Sequence, residues 1–173
     1  MRKVLYILTR LNDEDVDWLS SVGTRMSLPT GTVLIREGEP IGALTFVLEG
    51  LLSVTVAGVG EVARLGSGEI LGEMSLVDEN PPSATVTVVE KALVLSIDRA
   101  TIDTKTAADS AFAARLYRAI AMFLSVRLRR TVQRLGYGSE PPATHEEIDM
   151  ELLDAMHIAG GRFDRLVRKL TAA

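Results

Sequence analysis

The segment Gly68-Glu69-Ile70-Leu71-Gly72-Glu73-Met74-Ser75-Leu76, with Pro81-Pro82-Ser83-Ala84-Thr85 after it, gathers the residues best suited to hold a small ligand. Gly72 lets backbone approach a bound group closely, and a short helix opening near Glu73 aims unpaired N–H groups at it. Holding a compact anion in such a loop needs backbone N–H groups, a helix start and preferably an arginine. No arginine is present. From Leu65 to Glu90 the chain carries Glu69, Glu73, Asp78, Glu79 and Glu90 and no lysine or arginine. An anion entering that stretch meets like charge at short range, partly offset by the helix start.

No catalytic constellation stands beside this loop. The chain has no cysteine, which removes disulfides, thiolate metal sites and cysteine nucleophiles. His145 and His157 lie twelve residues apart, about 120° around a helix, and so do not share a face for zinc or base chemistry. Ser75 and Ser83 have no histidine or lysine near them in sequence to activate a hydroxyl. Gly66-Ser67-Gly68 reads as a strand-connecting turn. The expectation is therefore no enzyme, no metal site and no required cofactor.

The loop must be positioned by β-structure. Between Arg25 and Ile97, glycines and prolines separate short runs rich in Val, Ile, Leu and Thr: 32–35, 43–48, 51–57, 61–65, 84–89 and 92–97. Short strands with frequent turns indicate a β-sandwich or barrel. Ahead of them, Asn12 followed by Asp13-Glu14-Asp15 reads as a capped helix start, with Val16, Leu19 and Val22 at helical spacing and Gly23 as its end. Behind them, Ala107–Leu135 has no interior Gly or Pro and reads as one long helix. Phe112, Leu116, Ala119, Phe123 and Val126 make one apolar stripe; Ile120, Leu124, Leu128, Val132 and Leu135 make a second. Two stripes need two covers, of which the β-domain supplies one. Gly136 to Pro142 then reads as a linker. Beyond it, Thr144 and Glu147 form a capping-box pattern for a helix to Ala159, and Gly160-Gly161 separates that helix from Arg162–Leu170. The chain so divides into a helical lead-in (1–24), a β-roll (25–106), a long helix (107–136) and a linker with helical tail (137–173).

With these elements in place, the loop pattern resembles the phosphate-binding cassette of the cyclic-nucleotide-binding domain family, the effector domain of catabolite-activator-like proteins and kinase A regulatory subunits. Gly72, Glu73, Ser75, Pro81, Ser83, Ala84 and Thr85 stand where that pattern places them, and Pro82 stands where it has arginine. The glycine spacing Gly31, Gly38, Gly50 is similar to the family's β-roll, and the resemblance spans about residues 10–135. It implies a mainly β jelly roll with flanking helices and a dimer built on Ala107–Leu135. It also implies a ligand site at Gly72, Glu73, Met74, Ser75, Pro82, Ser83 and Ala84. In that site Glu73 would accept a ribose hydroxyl and Ser83 would face the phosphate. Arg115 or Arg118 on the long helix are the candidates to replace the missing cation. A proline side chain offers neither charge nor N–H. Losing a charge-assisted hydrogen bond of about 1.5–3 kcal/mol should weaken phosphate binding roughly 10- to 150-fold. The expected function is a regulatory sensor with impaired or altered binding of cyclic AMP or cyclic GMP. The alternatives are a ligand-free dimeric interaction or scaffold module and, with least support, a DNA-binding regulator.

The remaining features concern partners. Net charge is -4 and the pI about 5.3, which argues against bulk nucleic-acid binding. Arg127, Arg129, Arg130 and Arg134 crowd the end of the long helix, where cations stabilise a helix C-terminus. They also match the tail acids Glu140, Glu146, Glu147, Asp149, Glu151 and Asp154, so a fold-back is expected. The 144–173 tail is amphipathic and is a candidate docking element for a protein partner. The apolar run Val4–Leu8 is too short for a signal sequence and nothing reaches the length of a membrane span, so a cytoplasmic protein is expected.

Overall fold

In a computed structural model, residues 7–78, 80–134 and 150–171 are described. Helix α1 (Asp13–Val22) starts as its sequence asks. Asn12 accepts from the Asp15 N–H at 2.8 Å and the Asp15 carboxylate accepts from the Asn12 N–H at 2.9 Å, a reciprocal capping box. Six strands follow in one antiparallel sheet: β1 (Thr24–Leu28), β2 (Val33–Ile35), β3 (Ala43–Val56), β4 (Gly60–Gly66), β5 (Ile70–Leu71) and β6 (Thr85–Asp98). The backbone order is β1-β6-β3-β4, with β2 paired to β6 and β5 to β3. A short helix, α2 (Glu73–Asp78), interrupts the strands between β5 and β6. Helices α3 (Arg99–Ala108), α4 (Ser110–Arg134) and α5 (Met150–Thr171) come after the sheet.

Two of the expected strand pairs are single long strands. The runs 43–48 and 51–57 merge into β3, and 84–89 and 92–97 into β6. The β3–β6 register slips between Val47 and Leu52, around Gly50 at φ +97°. A side chain at Gly50 would strike the backbone of Lys91 and Ala92. The slip has a packing purpose, because a one-residue shift exchanges the two faces of a strand. Before it, Leu44, Phe46 and Leu48 face the helices; after it, Leu52 and Val54 face the interior of the roll. One strand thus serves two cores. The roll core contains Leu28, Ile35, Val47, Leu52, Val54, Leu65, Leu71, Val86, Val88 and Val94. The helical core joins α1, α3, α4 and α5 to the sheet through Val16, Leu19, Ile102, Phe112, Leu116, Ile120, Phe123 and Phe163.

The long helix starts later than its sequence suggests. Ala107 and Ala108 belong to α3, and the chain bends at Asp109, whose carboxylate accepts from the Phe112 N–H at 2.9 Å and pairs with Lys105 at 2.9 Å. A capping acid thus supplies a break without Gly or Pro. The tail differs the other way, since α5 runs through Gly160-Gly161 without interruption. Two helical glycines cost about 2 kcal/mol relative to alanine. Packing offsets this: Ala159 and Phe163 are buried in the helical core. Arg162 also meets Asp13 at 2.7 Å and Arg165 meets Asp17 at 2.6 Å. Arg162 and Arg165 therefore dock the tail on the acidic start of α1. The linker, the Thr144–Glu147 capping box and the side chains of Glu151 and Asp154 lie outside the described residues, as does the fold-back expected of them.

Candidate ligand pocket

The cassette residues surround a cavity of about 260 Å³. Its apolar wall is Ile35, Ile41, Val54, Leu65, Leu71 and Val86, drawn from β2, the turn after it, and β3 to β6. The cross-strand pairs Val54–Val86 and Ile35–Val86 set this wall in register. Gly72, Glu73, Met74, Ser75, Pro82, Ser83 and Ala84 all border the same space. Gly72 adopts φ +86°, and a side chain there would collide with the Ala43 carbonyl and Ile41. Its glycine is therefore required by how β5 turns into α2 beneath β3, before any ligand is considered.

Several of these groups are spent on holding the loop. The Ser75 hydroxyl donates to the Asn80 carbonyl at 2.7 Å, and the Ser75 carbonyl accepts from Arg99 at 3.0 Å. The Pro82 carbonyl accepts from the Gly38 N–H at 2.9 Å, pinning the proline turn to the end of β2. Thr85 accepts from the Glu37 N–H at 3.1 Å. Met74 is the contrast, 46% exposed at the rim. The proline ring thus sits in a fixed loop with no polar group of its own to offer.

Glu73 carries the electrostatics. It is only 3% exposed, and burial raises its carboxyl above the ordinary value of 4.5, with Arg127 opposing that rise. The Arg127 guanidinium donates to Glu73 Oε1 at 2.6 Å from the last third of α4. From the sequence, Arg127 belongs to the basic helix end, and Arg115 and Arg118 are the candidate pocket cations. Arg115 instead grips Asp15 through both carboxylate oxygens, at 2.7 and 2.8 Å, on the α1 side. Arg118 is exposed and does not border the cavity. Twelve residues separate Arg115 from Arg127, which is about 18 Å of rise and 120° of rotation. No local sequence signal distinguishes them; the angle at which α4 leaves Asp109 decides which arginine reaches the cassette.

Residues 25–109 match the family description "Cyclic nucleotide-binding domain". A cyclic nucleotide-gated potassium channel of Rhizobium etli is 39% identical over 70 residues, covering 40% of this chain and 19% of the channel. The cyclic AMP receptor protein of Thermus thermophilus is 34% identical over 93 residues, 51% of this chain and 43% of that protein. These alignments span less than half of either relative's length. In fold, a cyclic nucleotide-binding domain from Methylobacillus flagellatus superposes with a TM-score of 0.68 at 23% identity, over 81% of this chain and 85% of that one. Among the described residues no helix is long and apolar enough to cross a membrane. The β-roll, the cassette and these matches agree: residues 25–109 of this chain belong to the cyclic nucleotide-binding domain family.

Proposed function

We propose that this chain is a non-enzymatic, cytoplasmic regulatory protein whose nucleotide pocket has impaired or altered binding. One observation carries the reading: the Glu73 carboxylate is already met by Arg127 at 2.6 Å. A ribose hydroxyl seeking Glu73 must share it with this guanidinium. A phosphate finds at Pro82 neither the cation nor the N–H that an arginine there would give. The pair also ties the end of α4 to the cassette, which favours one setting of the helix. Calorimetry with cyclic AMP and cyclic GMP tests this directly. No saturable heat is expected at micromolar concentration, and micromolar or tighter capture of either nucleotide would contradict an impaired pocket.

A second reading, a dimeric interaction module, draws support from the outer face of α4. Tyr117, Leu128 and Val132 are 39%, 64% and 37% exposed, and Leu124 is half-buried beside them. These positions follow helical spacing and continue the second apolar stripe. A second copy of the chain laid along this face would cover it. Sedimentation velocity should then show a dimer that Leu128→Glu shifts to monomer; a monomeric parent protein would remove the reading. The tail has less to offer a partner, since Ala159 and Phe163 are buried and Ile158 remains exposed. DNA binding has the least support, because Arg127 turns into the cavity instead of joining an outward basic face.

A further inference from the structure

Resting on that reading of an altered pocket, we propose that the cassette cavity takes an uncharged, largely apolar small molecule bearing one hydroxyl, in place of a phosphate-bearing nucleotide. Among the described residues, three ionisable groups border the space: Glu73, Asp78 and Arg127. Hydrogen bonds from Asn80 hold the Asp78 carboxyl below its usual range, so it is charged at neutral pH. Arg127 is committed to Glu73 at 2.6 Å. The three charges leave the lining one negative charge in excess. An anionic ligand that drew Arg127 away would strand a carboxylate that is 3% exposed, and unpaired buried charge is strongly disfavoured. An anion that left the pair intact would face the excess charge with no further cation among the described lining residues.

A hydroxyl avoids both penalties. Its proton can be given to the Glu73 carboxylate while its oxygen accepts from the Arg127 guanidinium, so it bridges the pair without replacing either member. The rest of such a ligand meets Ile35, Ile41, Val54, Leu65, Leu71 and Val86, a wall that rewards apolar surface. The volume of about 260 Å³ lies just below the roughly 300–1,000 Å³ of ligand pockets, so the ligand must be small, no larger than a bicyclic ring system.

Three probes with one indole body and different charge test the assignment on the full chain by calorimetry: indole-3-ethanol, indole-3-acetate and tryptamine, with cyclic AMP alongside. Saturable binding of indole-3-ethanol, at least about tenfold tighter than the acetate and no weaker than the amine, is the expected result. Ala84→Trp, which fills the cavity from its rim, should abolish that heat. Arg127→Gln should weaken it about tenfold by removing one hydrogen bond, and it keeps the test alive where the tryptophan variant does not fold. Equal or tighter binding of the acetate, tightest binding of the amine, or heat that survives both substitutions overturns the proposal. So does no binding of any indole, but a silent cyclic AMP titration then leaves the impaired-nucleotide reading standing. Cyclic AMP binding more tightly than all three overturns both.

Discussion

Arg115 and Arg127 leave the same helix, and each reaches a carboxylate whose side chain is 4% exposed. Around Asp15, every polar demand is met. Both oxygens receive Arg115, one also receives the Asn12 N–H, and the carboxylate closes the first turn of α1 against a packed helical layer. Around Glu73, one arginine N–H arrives at one oxygen and a cavity opens beside it. The first pair is a strut joining α1 to α4. The second faces space that a ligand can enter, and its arginine is more exposed, 47% against 31%. The same two charge types thus make a fully bonded strut at one end of α4 and a singly bonded tie beside a cavity at the other. The number of bonds and the neighbouring void make the difference.

Substitutions should separate the two ends in a definite order. Arg115→Ala strands Asp15 and should cost about 3 kcal/mol in denaturant unfolding, toward the lower end for breaking a buried pair. Pocket binding should not change. Arg127→Ala should cost less, about 1–2 kcal/mol, because its guanidinium is half in water and screened there. Equal losses for the two variants would dissolve the distinction between the fully bonded pair and the singly bonded one.

The smallest effect is the most specific one. Burial raises the folded-state pKa of Glu73 above 4.5, so the folded protein binds that proton more tightly than the unfolded chain does. The stability this contributes is fully present below about pH 4.5 and is lost as pH rises through the folded value. Glu73→Gln stays neutral and cannot lose it. Thermal melts should therefore show the Gln variant gaining on the parent as pH rises above about 4.5. A parent protein that gains on the variant over that range would mean Arg127 outweighs burial.

Much of the architecture could be read from the residues alone, because its signals are local. Asn12 with Asp15 announces α1, and glycine-punctuated Val, Ile and Thr runs announce the sheet. The cassette pattern places the pocket wall where Gly72, Ser83 and Ala84 border it. What could not be read depends on geometry between distant parts. The merging of strands into β3 needs the slip at Gly50, whose sense appears only when Phe46 and Leu52 are seen facing different cores. The continuity of α5 through Gly160-Gly161 is settled by Phe163 and by ion pairs to α1, more than 140 residues earlier in the chain. The pocket arginine sits 54 residues from Glu73. Helical spacing says which residues share a face, but not which face will meet the cassette.

The proposed impairment turns on Pro82, which stands where the cassette pattern has arginine. A side-by-side calorimetric titration of cyclic AMP into the parent protein and Pro82→Arg tests it most directly. The variant restores a cation and an N–H while keeping the carbonyl that Gly38 holds. A weak parent and a gain of roughly 10- to 150-fold in the variant is the predicted result. Micromolar binding by the parent, or a variant that binds no better than the parent, would contradict it.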